Sequence, residues 1–119
     1  MTASLPFRPQ EALAPVADAI RSRGLRVHAI TSPVAAERTA NTLLALGVRP
    51  TLTVDPDEMD AFVAASDALL INLGMLDATR LAAIPRAIAA ARRMKKPWVL
   101  DPVFVDVSDR RRAFAQDCL

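Results

Sequence analysis

Four short segments of this chain close apolar runs with groups that can hold a small molecule: Thr31-Ser32, Leu52 to Val54, Asn72-Leu73-Gly74 and Asp101-Pro102. The last is the most pointed. In KKPWVLDPVFVD, Lys95 to Asp106, the residues Trp98, Val99 and Leu100 read as a buried strand that delivers the carboxylate of Asp101. Pro102 then stops the strand, because it has no N–H for a sheet ladder. In open α/β sheets the carboxyl ends of the strands are where ligands bind. If the four segments are parallel strand ends, hydroxyl, amide and carboxylate groups from separate parts of the chain meet along one edge, which is how a small-molecule pocket is built. Each residue also has a plainer alternative: Asn72 as a strand-end residue bonded to nearby backbone, Asp101 as a cap for its loop.

Periodicity and punctuation predict the elements that would carry these groups. Leu13, Val16, Ala17 and Ile20 recur at helical spacing and Gly24 stands where a C-terminal cap belongs, predicting a helix over about 10–23. Pro15 belongs in a helix's first turns, which would push that start later. LRVHAIT predicts a strand from its β-branched content, and Ser32-Pro33 an N-cap followed by proline at the first helical position. The second helix shows an apolar face of Ala36, Ala40, Leu43, Leu44 and Gly47. TLTV, 51–54, predicts a short strand; Asp55 then caps a third helix, with Glu58 reaching back as in a capping box and Met59, Phe62, Val63 and Ser66 facing inward.

DALLINLG, 67–74, is the most continuous apolar run and predicts a central strand with helices over both faces. Asp77 caps a long helix from Ala78 to Lys96, with Leu81, Ile84 and Ile88 inward and a kink or break at Pro85. Its basic last turn, Arg92, Arg93, Lys95 and Lys96, suits the negative end of the helix dipole and is most simply a solvated helix end. Ser108 or Asp109 caps a final helix. Such alternation predicts one α/β domain over 1–119, a parallel sheet of about four strands flanked by helices through right-handed crossovers. No repeat, low-complexity tract or linker interrupts it.

Composition narrows the function classes. The chain is 52% hydrophobic and 24% charged, as one globular domain would be. Lys+Arg exceed Asp+Glu by 15 to 13 and aromatics are 4%, so neither a basic footprint nor a stacking platform for nucleic acid is indicated. No charge-free apolar run approaches the roughly 20 residues of a membrane span, and MTASLPFRPQ lacks the apolar stretch of a signal peptide. The expectation is no membrane partner and a cytoplasmic location. A single cysteine, Cys118, and a single histidine, His28, exclude an internal disulfide and a Cys/His metal cluster, and Cys118 reads as an inert thiol.

Several motifs in order, His-x-Ile-Thr (28–31), Ala-Asn-x-Leu-Leu-Ala-x-Gly (40–47), Ile-Asn-x-Gly-x-Leu (71–76) and Leu-Asp-Pro-Val (100–103), give the chain a strong resemblance to the amino-terminal half of hydroxyethylthiazole kinase over about residues 10–115. The resemblance implies a ribokinase-like three-layer α/β/α domain, present here in part. It implies phosphorylation of 4-methyl-5-(2-hydroxyethyl)thiazole with ATP as co-substrate and Mg²⁺, in thiamine biosynthesis and salvage, and a homotrimer with sites between subunits for the complete enzyme. Ser32 and Val34 would then line the thiazole pocket, and Leu52 falls where the family usually has a substrate-contacting methionine. Gly74 would let the backbone approach the substrate, and Asp101 matches the acidic residue on the magnesium and phosphate side. Three departures stand out: Ser32 where many members have asparagine, Leu52 for methionine, and Phe104 to Ser108 where a small, glycine-rich continuation is usual.

Phosphoryl transfer also needs preorganised donors and a base. With only Gly24, Gly47 and Gly74, no Gly-x-Gly anion hole can be built, and the family's Gly-x-Gly-[Cys/Asp] loop with its base is not in this sequence. Cys118 has no preceding glycine and is not that cysteine. The reading is a substrate-side half of the kinase, inactive alone. The alternative is a non-catalytic module that binds a small heterocycle or pairs with kinase subunits. A receiver-like signalling domain fits the length but needs a phosphoacceptor aspartate after the third strand, where Asn72-Leu73-Gly74 stands.

Overall fold

Glycine, proline and short polar side chains set most of the element boundaries in the computed structural model, which describes residues 8–119. Helix α1, Pro9–Arg23, ends where Gly24 takes φ 60° and ψ 45°, a left-handed conformation that costs a residue without Cβ nothing. Pro15 lies inside α1 and not in its first turn. Strand β1, Arg26–Ile30, leads to Ser32, whose Oγ accepts from the Ala35 N–H at 3.2 Å and starts α2, Pro33–Ala45. Strand β2 is Arg49–Thr51, earlier than TLTV predicts, because pairing with β1 sets its register: Arg26 opposite Arg49, His28 opposite Thr51. Pro50 is tolerated there because β2 is an edge strand.

Asp55 accepts from the Asp57 N–H at 2.9 Å and opens a 3₁₀ turn, Pro56–Glu58, that runs into α3, Met59–Ala64. The capping box does not form. Glu58 Oε2 instead accepts from the Thr53 hydroxyl at 2.7 Å. Strand β3 is Ala68–Asn72 and α4 is Ala78–Arg93, a single helix through Pro85, shorter at its end than the pattern to Lys96. Its buried residues lie on both sides of the proline, Ala83 and Ile84 before it and Ala87, Ile88, Ala90 and Ala91 after it, so packing holds the two halves together. Strand β4, Trp98–Asp101, and α5, Asp109–Cys118, complete the described residues, with Ser108 as the cap of α5.

The four strands are all parallel in the order β2-β1-β3-β4. The chain leaves β1 in one direction to β2 and returns past it to β3, so the order reverses between β1 and β3, the place where α/β sheets open a crevice at their carboxyl ends. The register puts His28 and Ile30, Leu69 and Ile71, and Trp98 and Leu100 on one face. That face meets Met59, Val63, Ala83, Ile84, Ala87, Ile88 and Ala91 in the core. The other face is thinner than β3's apolar run predicts: Leu70 is only half-buried and Val99 is 58% exposed. Helices α1 and α2 bury none of their residues, and Leu13 and Val16 of α1 stand in solvent.

The basic end of α4 does more than dissolve in water. Arg93 pairs with Asp60 of α3 at 2.9 Å, Arg92 donates to the Cys118 carbonyl at 2.9 Å, and Lys96 donates to the Ala64 carbonyl at 2.9 Å. Cys118 itself is buried, and that burial, with the Asp117 carboxylate, pushes its thiol pKa up and keeps it unreactive.

His28 is the one titratable side chain sealed in the sheet. It is fully buried, its Nδ1 lies 2.7 Å from the Thr51 hydroxyl, its ring lies 5.4 Å from that of Phe62, and among the described residues Nε2 has no hydrogen-bond partner. Burial lowers its pKa; the Thr53 backbone and the Glu58 carboxylate pull the other way without prevailing. The folded state therefore resists the proton that the unfolded chain accepts at the ordinary value near 6.5. Stability is full above that value and is lost as the pH falls below it toward the lowered folded pKa. The urea midpoint is expected to drop between about pH 7.5 and 5.5, and since this is the only histidine, His28→Gln should flatten the curve in that window. A wild-type midpoint that holds constant over it would mean that the folded chain protonates His28 as readily as the unfolded one.

Candidate functional site

Two of the strand ends are laced together by side chains. Asn72, the last residue of β3, donates from Nδ2 to Asp101 Oδ2 at 2.8 Å, and its Oδ1 accepts from the Gly74 N–H at 2.8 Å. The Leu73 N–H donates to the Asp101 carbonyl at 3.1 Å. Asn72 thus does bond nearby backbone, as the plainer reading has it, but its other end holds the carboxylate of Asp101 across the edge. Asp101 is exposed, and its Oδ1 makes no hydrogen bond among the described residues. One carboxylate oxygen is fixed and the other is open to a ligand.

Ser32 and Gly74 close the other side. A Cβ built on Gly74 would lie 3.6 Å from both Cβ and Oγ of Ser32 and 2.7 Å from Asn72 Oδ1. Gly74 is therefore required by space, since its backbone is not in the left-handed region. Ser32, Asn72, Gly74 and Asp101 form one contiguous group at the point where the strand order reverses. Leu52 stands half-buried one residue beyond β2, on the far side of β1 from Gly74. Val34, in the first turn of α2, is 88% exposed and lines a groove of about 630 Å³ along that helix with Glu37, Arg38, Asn41, Thr42 and Ala45.

Two arginines that sequence reasoning passed over hold the backbone at these strand ends. Arg80 of α4 is buried; its Nε donates to the Thr31 carbonyl at 2.9 Å and its Nη1 to Asp77 Oδ2 at 2.6 Å. The Arg80 backbone N–H holds the Asp77 carboxyl below the usual carboxylate range; desolvation opposes it, and the Arg80 guanidinium adds to the lowering. Arg111 of α5 donates to the carbonyls of Leu73 and Gly74. Arg80 did leave a signal: it shares the buried stripe of 83, 84, 87, 88 and 91, a charged residue on an apolar face. Arg111 left none, sitting between two other arginines.

The loop after Asp101 carries the bulky Phe104 at φ 62°, a region that disfavours any residue with a Cβ by roughly 1–2 kcal/mol. The Phe104 ring lies over the Arg111 guanidinium, 6.0 Å from its carbon to the ring centroid. Removing the ring costs both Phe104→Ala and Phe104→Gly the same contact, but only glycine relieves the backbone. Phe104→Gly is expected to be the more stable of the two by about 1 kcal/mol in chemical denaturation, the reverse of the usual order. Equal midpoints would show that the loop rearranges when the ring is lost.

The fold and the grouped side chains define an α/β domain with polar groups gathered at the carboxyl edge of a parallel sheet, the edge where open α/β sheets bind ligands. Comparison with known proteins makes this particular. The profile of the hydroxyethylthiazole kinase family matches residues 18–119. Hydroxyethylthiazole kinase of Cronobacter sakazakii is 47% identical over 106 residues, 89% of this chain and 40% of that protein. The enzyme of the same name from Serratia proteamaculans is 47% identical over 93 residues, 78% of this chain and 35% of that one. The solved structure of a hydroxyethylthiazole kinase protein from Pyrococcus horikoshii superposes with a TM-score of 0.86 at 31% identity, covering 91% of this chain and 42% of that chain. The chain belongs to the hydroxyethylthiazole kinase family, and its four parallel strands with their helices correspond to part of that ribokinase-like fold. It spans about 40% of the length of the curated relatives it matches.

Proposed function

We propose that this chain is the substrate-side, amino-terminal part of a hydroxyethylthiazole kinase, working in the cytoplasm on the thiazole alcohol of thiamine biosynthesis and salvage with ATP as co-substrate. The observation that carries this reading is the packing of Ser32 against Gly74 at the strand-order reversal, with Asn72 holding Asp101 beside them. The thiazole alcohol would lie between the ends of β1 and β3, where Gly74 lets a flat ring reach the backbone and Ser32 lends a polar rim. Leu52 and Val34 are the apolar residues we assign to the outer part of that pocket. Within a complete enzyme, we expect the homotrimer of the family to close it.

Magnesium fits the donor set in a limited way. Among the described residues no three His, Cys, Asp or Glu side chains gather as a metal cage, but the open Oδ1 of Asp101 suits an ion held by one carboxylate together with phosphate and water. Bound there, the ion would neutralise charge on the transferring phosphoryl group. The chain's own contribution is to orient: Asn72 fixes the Asp101 carboxylate, and Gly74 fixes the alcohol's approach. The three glycines of the sequence form no Gly-x-Gly anion hole, so these residues bind and position substrate without completing phosphoryl transfer.

Titration calorimetry of the purified 119-residue chain with 4-methyl-5-(2-hydroxyethyl)thiazole tests the binding reading, and a coupled ADP-release assay tests the claim of inactivity. Saturable heat without ADP release is the expected pair of results. A flat titration removes the substrate-side reading, and sustained ATP-dependent turnover removes the inactivity.

A further inference from the structure

We propose that Arg111 is a positioning residue for the crevice: its guanidinium fork fixes the Leu73-Gly74 peptide and with it the wall that faces Ser32. Three arginines stand in a row at the start of α5, and their environments differ. Arg112 pairs with Asp109 at 2.9 Å and donates to the Val105 carbonyl at 3.0 Å, an exposed capping role within its own segment. Arg111 turns inward. Its Nη1 donates to the Leu73 carbonyl and its Nη2 to the Gly74 carbonyl at 3.2 Å, contacts that reach 38 and 37 residues back along the chain. Among the described residues no carboxylate lies within 4.0 Å of it, so its donors are committed to the loop.

The loop needs such a partner. The N–H groups of Leu73 and Gly74 are held by the Asp101 carbonyl and Asn72 Oδ1. Their carbonyls point the other way, and Arg111 is the group that takes both. A planar fork with donors fixed in one plane sets the direction of two successive carbonyls, and hence the tilt of the peptide between them, in a way a single donor cannot. The ring of Phe104, a residue with left-handed backbone, lies over the guanidinium on the side of the following loop. A strained residue and a committed cation thus converge on one peptide, and that peptide ends at Gly74, where Ser32 lies within 3.6 Å of the position a Cβ would take. Freeing the carbonyls would let the peptide swing and change the width of the crevice. That consequence for ligand binding rests on the thiazole reading above; the positioning of Gly74 does not.

The test is amide hydrogen exchange by NMR on the 119-residue chain, with thiazole affinity measured alongside. Arg111→Met keeps the packing of the stem and removes the donors, Arg111→Lys keeps the charge and a donor, and Arg112→Met is the neighbouring comparison. Arg111→Met is expected to speed exchange at the Gly74 N–H by about tenfold or more, with amides in β1 and the middle of β3 unchanged. Arg111→Lys should recover most of that protection and Arg112→Met should lose none. Thiazole affinity should fall in parallel, by about tenfold, in Arg111→Met alone. Unchanged exchange at Gly74, a rise shared by the whole sheet, or no recovery with lysine would each overturn the assignment. If the wild-type chain binds no thiazole, the proposed function fails and the Gly74 exchange still decides the role of Arg111.

Discussion

On the proposed thiazole-binding role, Gly74→Ala is expected to lower the affinity for the thiazole alcohol by about a hundredfold, the size of loss that a misplacement near 1 Å produces at a preorganised site. The cause is steric and local. An added Cβ would sit 2.7 Å from Asn72 Oδ1, closer than nonbonded carbon and oxygen atoms approach. Asn72 cannot simply rotate away, because its other end is bonded to Asp101 at 2.8 Å and its Oδ1 holds the Gly74 N–H itself. Relief must therefore come from the loop, which moves Gly74 toward Ser32 or releases Asp101. In either case the group at the strand-order reversal comes apart, while the hydrophobic face under α3 and α4 is untouched. Calorimetry against the wild-type chain, with urea unfolding alongside, separates the two effects: binding should collapse while stability falls by only about 1–2 kcal/mol. Full affinity in Gly74→Ala would place the thiazole somewhere other than this crevice.

The largest stability effect outside the hydrocarbon core is expected at Arg80. Arg80→Met keeps most of the apolar stem and removes the charged head, at a cost of about 3 kcal/mol. The Thr31 carbonyl, on a residue only 4% exposed, loses its donor, and Asp77 loses the guanidinium that helps to keep it ionised. The N-cap of α4 survives through the Arg80 backbone N–H, which is indifferent to the side chain. Urea denaturation reads the loss directly. A cost under about 1 kcal/mol would mean that water replaces the arginine at Thr31, and that the carboxyl end of β1 is wetter than its burial suggests.

What the sequence made legible was what is local. Ser32, Asp55, Asp77 and Ser108 each cap the helix that follows within two or three residues, and Gly24 ends α1 by a backbone preference it carries alone. The alternation of strand and helix led to the parallel sheet, and the ordered motifs led to the family. Whatever depends on a distant partner was harder to see. The bounds of β2 came from its register with β1, and Glu58 chose the Thr53 hydroxyl over a backbone N–H. Pro15 and Pro85 sit inside helices that local rules would have shortened or broken. Among the grouped residues, Ser32, Gly74 and Asp101 announced themselves at strand ends. Arg80 and Arg111 serve carbonyls 49 and 38 residues away, and a carbonyl leaves no mark in a sequence.

The two borders of the sheet differ in one further respect. On the β2 side the ladder finishes in a three-residue strand containing Pro50, which has no N–H to offer a newcomer; on the other side β4 has no proline within it and, among the described residues, pairs with β3 alone. Recruitment of another strand is therefore one-sided. An added strand is therefore expected to pair along β4 and not beside Pro50.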